Sequence, residues 1–222
     1  MNYSNKQVVV TGAGGGLGRV LVARLEELGA KVVKLDVAFP PESTGNCQVV
    51  DLTSLEDTKK CFAGIGRVDA VFNIAGGFAM GMETWDESDE QWDAMFIINV
   101  KTLRNSLKAV VPIMLKQGRG SIVNVGAYGA LSGAGAMSAY CASKSTVMRL
   151  TESLSEEVKA KGINVNAVLP TIIDTPANRA GMPDADPAAW VAPSDLANVL
   201  CFLGSEDAKA VHGALVPVRS LS

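Results

Sequence analysis

The sequence Gln7-Val-Val-Val-Thr11-Gly-Ala-Gly-Gly-Gly-Leu-Gly18 decides the fold of this chain. Its consecutive valines predict a buried strand, and the amphipathic stretch after the glycines predicts a helix. Glycines at such a junction let the backbone approach a pyrophosphate, which then lies on the free N–H groups of the first helical turn. A tight turn without a ligand is the alternative. The candidate cofactor-binding residues here are Thr11, Gly12, Gly14, Gly16, Leu17 and Gly18.

Short apolar runs alternate with amphipathic stretches along the rest of the chain, which is typical of a parallel sheet covered by helices. We predict strands at Gln7–Thr11, Lys31–Asp36, Gln48–Asp51, Ala70–Ile74, Ser121–Val125, Ile163–Leu169 and Ala214–Val218. We predict helices at Leu17–Leu28, Leu55–Phe62, Glu90–Lys116, Ala139–Lys161 and Pro193–Leu203. Four prolines between residues 176 and 193 predict a long loop. The 222 residues suit one α/β domain, residues 1–222.

The composition argues against several classes of protein. Hydrophobic residues make up 48% of the chain and charged residues 19%, so it can bury a substantial core. A net charge of −3 without a basic block gives no support to a nucleic-acid or membrane-surface role. No apolar run approaches the roughly 20 residues of a spanning helix, and the N-terminus leaves no room for a signal peptide. We therefore expect a cytoplasmic protein with reduced thiols at Cys47, Cys61, Cys141 and Cys201.

Tyr140 and Lys144 form the main candidate for catalysis. Residues four apart lie on the same face of a helix, so the ammonium can lie beneath the phenol. A free phenol has a pKa of about 10, and a nearby cation would favour its phenolate. Because His212 is the one histidine in the chain, a Ser-His-Asp triad or a His-rich metal site is not expected. Tyr140 becomes the candidate acid/base, although the spacing alone also occurs by chance.

Asp36 closes the second predicted strand, about 20 residues beyond the glycines, where a carboxylate can hydrogen-bond both ribose hydroxyls of adenosine. A 2′-phosphate would meet that charge unfavourably, and the glycine turn contains no arginine to offset it. The sequence therefore predicts NAD(H) rather than NADP(H), with Lys34 and Arg19 as the nearest opposing cations. Asp51 could accept a hydrogen bond from adenine or could cap a helix, and the sequence does not decide between these.

Several motifs occur in order over essentially the whole chain. They are T-G-x-x-x-G-x-G at 11–18, D-L at 51–52, N-I-A-G at 73–76, Asn99, Tyr140-x-x-x-Lys144 and L-P-x-x-x-D-T at 169–175. Together they resemble the short-chain dehydrogenase/reductase family. The resemblance implies a doubly wound sheet with helices on both faces, a nicotinamide cofactor, and hydride transfer at the carboxyl ends of the strands.

The resemblance also implies roles for individual residues. Tyr140 would be the acid/base, Lys144 would hold the nicotinamide ribose and lower the phenol's pKa, and Asn99 would anchor a water in a proton relay. Asn73, Ala75 and Gly76 would line the adenosine side. The other implied cofactor contacts are Asp51, Leu52, Pro170, Ile173 and Thr175. Two long helices, Glu90–Lys116 and Ala139–Lys161, resemble those that pair between subunits of the family, which predicts a homodimer or homotetramer.

Ala127 departs from the family pattern, which places a serine thirteen residues before the tyrosine. A methyl group cannot donate a hydrogen bond to a substrate carbonyl. Ser132 and Ser138 are expected to lie too far along the loop to replace that serine. Three explanations compete: an inactive binding protein, a carbonyl or alcohol dehydrogenase with a substitute donor, or a substrate that does not need the hydroxyl.

Further motifs favour the third explanation. The stretches A-G-G-F at 75–78, G-A at 126–127, L-P-x-x-x-D-T-P-x-N-R at 169–179 and M-P-x-A-D at 182–186 resemble the dihydropteridine reductase branch of the family. That branch implies a quinonoid dihydropterin, or another conjugated imine or quinone-like ring, reduced by NADH. An apolar pocket would suit such a ring, although ordinary packing also explains its residues. The candidates for it are Phe78, Met80, Met82, Trp85, Ala127, Met182 and Trp190.

Overall fold

A computed structural model describes residues 1–220 and shows a seven-stranded sheet in which all neighbouring strands run parallel. The strands are β1 Gln7–Thr11, β2 Lys31–Asp36, β3 Asn46–Val49, β4 Ala70–Asn73, β5 Gly120–Val125, β6 Ile163–Pro170 and β7 Leu215–Val218. Their order across the sheet is β3-β2-β1-β4-β5-β6-β7. The chain reverses direction across the sheet between β1 and β4, which is where ligands bind in doubly wound folds. The predicted fold class is confirmed.

Seven α-helices cover the sheet over residues 1–220. They are α1 Gly16–Glu27, α2 Leu55–Ile65, α3 Asp89–Phe96, α4 Thr102–Gln117, α5 Ser138–Val158, α6 Pro176–Gly181 and α7 Pro193–Leu203. Successive strand residues point to opposite faces, so Val8 and Val10 pack with α1 and α7, while Val9 packs with α2 and α4. No helix within the described residues is both long and apolar enough to cross a membrane.

Three sequence-based predictions differ most from the structure, and several other ends differ by one to three residues. The predicted strand Gln48–Asp51 lies two residues earlier, because this short edge strand pairs only with β2 and its register is set there. The predicted helix Glu90–Lys116 is broken by a π-helical turn at Ile97–Lys101, between α3 and α4. The predicted loop after Pro176 begins with α6, since Thr175 caps that helix and proline is favoured in its first turn.

The connection from β2 to β3, residues 37–45, is short and has no helix. The Lys34 ammonium fixes this connection, donating to the carbonyl of Thr44 at 2.9 Å and pairing with Glu26 at 2.9 Å. Lys34 is therefore held between α1 and the loop. Asp36, at the end of β2, lies next to this loop at the carboxyl edge of the sheet.

Candidate functional site

The glycine turn between β1 and α1 fits tightly against its neighbours. A Cβ atom added to Gly12, which has a φ of +67°, would lie 2.7 Å from the nitrogen of Ala75. A Cβ added to Gly18 would lie 2.1 Å from the carbonyl oxygen of Gly12. Helix α1 begins after Gly15, which supplies no side-chain cap. The first N–H groups of α1 are therefore left for an anionic ligand.

Two threonines border this turn. The hydroxyl oxygen of Thr11 accepts from the N–H groups of Ile74 and Ala75 at 3.1 and 3.2 Å, and so ties the end of β1 to the segment after β4. The methyl group of Thr175 would lie 3.2 Å from a Cβ at Gly16, so Thr175 lies directly against the glycine turn. The fold therefore brings Thr175, near the end of the chain, next to the glycine turn, and both were predicted to contact the same cofactor.

The carboxylate of Asp36 lies between the glycine turn and the loop after β2. One oxygen accepts from the N–H of Gly14 at 2.8 Å and the other from the N–H of Val37 at 2.7 Å. Neither opposing cation reaches it, because Lys34 is paired with Glu26 and Arg19 lies 3.7 Å from Glu42. An anionic group is therefore fixed where an adenosine ribose is expected.

The next two predicted residues have roles in the fold itself. Asp51 accepts from the N–H of Thr53 at 2.8 Å, and hydrogen bonds from Thr53 hold the pKa of Asp51 below its usual value. Asp51 therefore orders the turn before α2, whereas the cap of that helix is Ser54. A hydrogen bond from adenine to Asp51 stays a prediction. Leu52 is buried, and its carbonyl accepts from the amide of Asn105 at 2.9 Å.

The side chain of Asn73 does not line the cleft. Its amide donates to Asn124 at 2.9 Å, its carbonyl oxygen accepts from Ser106 at 2.7 Å, and Asn124 donates onward to Thr151. This buried network occupies both polar groups of the Asn73 side chain, so a contact with adenosine would have to come from its backbone, and that contact stays a prediction. These hydrogen bonds fix the end of β4, from which the segment beginning at Ile74 continues.

Gly76 was predicted to lie on the adenosine side but lies beside two candidate catalytic side chains. A Cβ added there would lie 2.7 Å from Oδ1 of Asn99 and 3.2 Å from Nζ of Lys144. The absence of a side chain at this position allows both polar groups to approach the backbone. Gly76 therefore belongs with the reacting end of the site.

Asn99 lies in the π-helical turn, a feature frequent at functional sites. Its Oδ1 accepts from the N–H of Gly77 at 2.9 Å, and its Nδ2 donates to the carbonyl of Gly77 and to Oγ of Ser143, both at 3.1 Å. The side chain therefore joins the segment after β4 to α5. Its role in anchoring a water stays a prediction.

The Lys144 ammonium is buried beneath the site and donates to the carbonyl of Val125 at 3.0 Å. Burial lowers the pKa of this group to about 8. The charged form still predominates near neutrality. A cation is therefore held in a dry environment, where its electrostatic effect is larger than in water.

The phenol of Tyr140 differs from its prediction in one respect. Burial is the main cause that raises its pKa to about 12, whereas the sequence predicted that Lys144 would lower it. The ring packs edge-on against Phe78, with 4.8 Å between ring centroids, and against the cluster around Ala127. Its hydroxyl makes no hydrogen bond within residues 1–220. The phenol is therefore protonated at neutral pH and able to donate to a bound molecule.

Ala127 is buried in a small apolar cluster with Cys141, Met148 and Leu169, and Tyr140 packs against this cluster. Neither of the two nearby serines replaces the hydroxyl that the family pattern places at position 127. Ser138 donates to a carboxylate oxygen of Glu87 at 2.5 Å, and Ser132 is exposed. The methyl group therefore lies where the family pattern places a hydrogen-bond donor.

This arrangement agrees with what is found in known proteins. A family model described as short chain dehydrogenase matches residues 6–185. The chain belongs to the short-chain dehydrogenase family. It is an NAD(P)-dependent oxidoreductase, and its glycine turn, open helix start and Asp36 fit such a dinucleotide.

Relatives of this short-chain dehydrogenase carry different names. The short chain dehydrogenase adrF of Penicillium rubens is 30% identical over 95% of this chain and 94% of its own. Levodione reductase of Leifsonia aquatica is 30% identical over 97% of this chain and 93% of its own. A solved structure, described as a putative 2-deoxy-D-gluconate 3-dehydrogenase from Agrobacterium tumefaciens with bound NADP, has a TM-score of 0.90 and 29% identity, covering 99% and 96% of the two chains. Two of these three names specify a substrate, and the two substrates differ.

The residues predicted to form an apolar pocket differ in their exposure to solvent in this short-chain dehydrogenase. Phe78, Met80, Met82 and Trp85 are exposed, and Met182 is half-buried at the end of α6. Trp190 is only 7% exposed, and its place in a pocket stays a prediction. The ring packs within the protein, as the packing alternative allowed.

Sequence reasoning missed three residues of the site. Ser143 holds Asn99, and Glu87 holds Ser138, but both contacts join segments distant in sequence. Thr171 has a buried hydroxyl oxygen without a hydrogen-bond partner among the described residues. Its position directly after Pro170, in the segment expected to meet the cofactor, was the available signal.

Proposed function

We propose that the protein is an NADH-dependent reductase of a conjugated ring, with quinonoid dihydropterin as the first substrate to test. The observation that carries this proposal is the methyl group of Ala127 beside the Tyr140 cluster. A ketone reductase relies on two donors to the carbonyl oxygen, and loss of one commonly costs about a hundredfold in rate. A conjugated ring can accept a hydride and a proton without that second donor.

Three residues have separate roles in the proposed reaction. Tyr140 donates its phenolic proton to the reduced ring, and solvent returns a proton to the phenolate. Lys144, fixed beneath by the carbonyl of Val125, stabilises the phenolate as it forms. NADH supplies the hydride when bound. Asn99 keeps Gly77 and α5 in place, so that the phenol faces the bound ring.

The preference for NADH rests on Asp36. Replacing Asp36 by asparagine keeps the shape but removes the charge, so kcat/KM for NADPH is expected to rise at least about tenfold relative to NADH. Steady-state kinetics with both cofactors measures this ratio. Asp51→Asn serves as the matched control and is expected to change the ratio less than about twofold. A wild-type protein that prefers NADPH would contradict the assignment.

Ala127→Ser tests the proposed substrate class directly. The added hydroxyl restores a carbonyl donor, so activity on simple ketones is expected to rise by about ten- to a hundredfold. Activity on the quinonoid pterin is expected to change little. The assay compares ketones, secondary alcohols and the pterin side by side, with Ser132→Ala as the control. If Ala127→Ser has the same activity on simple ketones as the wild-type protein, Ala127 does not determine the substrate class.

A carbonyl reductase with a substitute donor is the second candidate. The levodione reductase relative favours it, since that protein is named for a ketone. High ketone activity in the wild-type protein would select this candidate.

We also infer a cytoplasmic homodimer or homotetramer. Support for association comes from exposed apolar side chains along α3, the π-helical turn and α4, namely Trp92, Ile97 and Leu115. Light scattering at micromolar concentration measures the assembly.

A further inference from the structure

The segment between β4 and α3, residues 77–88, has no helix or strand and is called the flap below. It is rich in large apolar side chains that are open to solvent. The exposed fractions are 45% for Phe78, 57% for Met80, 39% for Met82 and 82% for Trp85. An apolar segment this exposed, at the edge of a cleft, is typical of a ligand-binding surface.

Several contacts hold the flap against the catalytic side of the cleft. The ring of Phe78 packs edge-on against Tyr140. The N–H of Gly81 donates to the carbonyl of Ala136 at 2.9 Å, and Ser138 donates to Glu87 at 2.5 Å. The apolar side chains therefore border the phenol and belong to the same site.

The charges of the flap and of α3 have one sign. Between residues 74 and 100 the chain has no lysine or arginine but has six carboxylates, at Glu83, Asp86, Glu87, Asp89, Glu90 and Asp93. The Lys144 ammonium is buried beneath the site and donates to the carbonyl of Val125. The facing loop, residues 126–143, contains no charged side chain. An anion approaching the cleft beside the flap therefore meets repulsion without a compensating cation on either segment.

Two arginines near this end of the sheet are engaged. Arg179 forms a bidentate pair with Asp174, at 2.6 and 2.8 Å. Arg219 donates to the hydroxyl of Tyr128 at 3.0 Å and stacks over its ring. The segment after α6 adds Asp184 and Asp186. A phosphate or carboxylate on a substrate thus has no dedicated partner on these segments.

We propose that the substrate is an uncharged ring compound with an apolar face, which lies between the flap and Tyr140, and that the acidic flap rejects anionic analogues. This inference rests on the proposed reductase function. The apolar side chains bind the ring by removing its surface from water, and the ring of Phe78 can contact it edge-on. Phosphorylated, carboxylate-bearing and carrier-linked carbonyl compounds are excluded from the substrate class.

A pair of quinones that differ by one charge tests this inference. We would compare 9,10-phenanthrenequinone with its 2-sulfonate, in which the sulfonate is remote from the reacting carbonyls. The uncharged quinone is expected to have a kcat/KM at least about tenfold higher, and added salt is expected to narrow the difference by screening. Binding to the NAD⁺-loaded protein, where no reduction can follow, is measured in parallel by tryptophan fluorescence.

Replacing flap carboxylates by lysines tests whether these charges cause the preference for the uncharged quinone. The double variant Glu83→Lys/Asp86→Lys is expected to reduce the difference between the two quinones to within about threefold. These two side chains are chosen because Glu87 holds Ser138, so its replacement would disturb the flap itself. Glu56→Lys, on the exposed side of α2, adds a positive charge elsewhere and is expected to leave the difference unchanged.

The outcomes separate this inference from the reductase proposal. A sulfonate that binds as tightly as the uncharged quinone overturns the inference, whether or not either compound is reduced. An equal effect of Glu56→Lys also overturns it. Tighter binding of the uncharged quinone without turnover of any conjugated substrate would support the inference while contradicting the reductase function.

Discussion

Tyr140→Phe is expected to lower kcat by at least about a hundredfold while leaving the Kd for NADH within about twofold of the wild-type value. Phenylalanine keeps the edge contact with Phe78 and the packing against the Ala127 cluster. It removes only a hydroxyl that makes no hydrogen bond within residues 1–220. The loss should therefore fall on proton transfer and not on folding. NADH oxidation and a fluorescence titration with NADH measure the two quantities.

Tyr128→Phe is the matched control for this prediction. Its hydroxyl lies close in sequence but accepts from Arg219, so its removal is expected to leave most of the turnover intact. A Tyr140→Phe protein that loses NADH binding and turnover to the same extent would point to a structural role for Tyr140. The proposed acid/base function would then be wrong.

Gly18→Ala is the second large effect that we expect. The added Cβ would lie 2.1 Å from the carbonyl oxygen of Gly12 and 2.8 Å from Cα of Ala13. Both are backbone atoms, so a change of side-chain rotamer cannot relieve the clash. The glycine turn must therefore shift. We expect the free energy of unfolding to fall by about 1–3 kcal/mol and NADH binding to weaken at least about tenfold. Denaturant unfolding and NADH titration provide the measurements.

Gly64→Ala provides the control, since a Cβ at this position in α2 meets nothing within 4 Å. It is expected to raise the free energy of unfolding by about 0.5–1 kcal/mol, because alanine favours a helix more than glycine does. Wild-type affinity for NADH in Gly18→Ala would show that the turn does not hold the pyrophosphate.

The sequence predicted the elements that form the buried core better than those at its edges. The ranges of β1, β2 and α7 were predicted to the residue, because their apolar pattern records burial directly. The edge strand β3 was shifted, since half-exposed residues carry a weaker pattern. The π-helical turn around Asn99 was missed because inserting one residue into a helical turn leaves no distinct composition.

The site was predicted as a set of residues but not in its electrostatics. Tyr140 and Lys144 follow from helical spacing, whereas the raised pKa of Tyr140 depends on burial by Phe78, a residue distant in sequence. The burial of Trp190 and the network around Asn73 likewise depend on tertiary contacts. The acidic flap was not assigned to the site from the sequence, because only the fold places Phe78 against the ring of Tyr140.

A primary kinetic isotope effect tests the central claim most directly. NADH carrying two deuterium atoms at C4 of the nicotinamide ring is oxidised in single turnovers by the protein and the conjugated substrate, and its rate of oxidation is compared with that of unlabelled NADH. Direct hydride transfer predicts a rate at least about twofold lower for the deuterated cofactor, and a rate with either cofactor that falls at least about a hundredfold in Tyr140→Phe. Equal rates for the two cofactors, or a rate unaffected by Tyr140→Phe, would contradict the account.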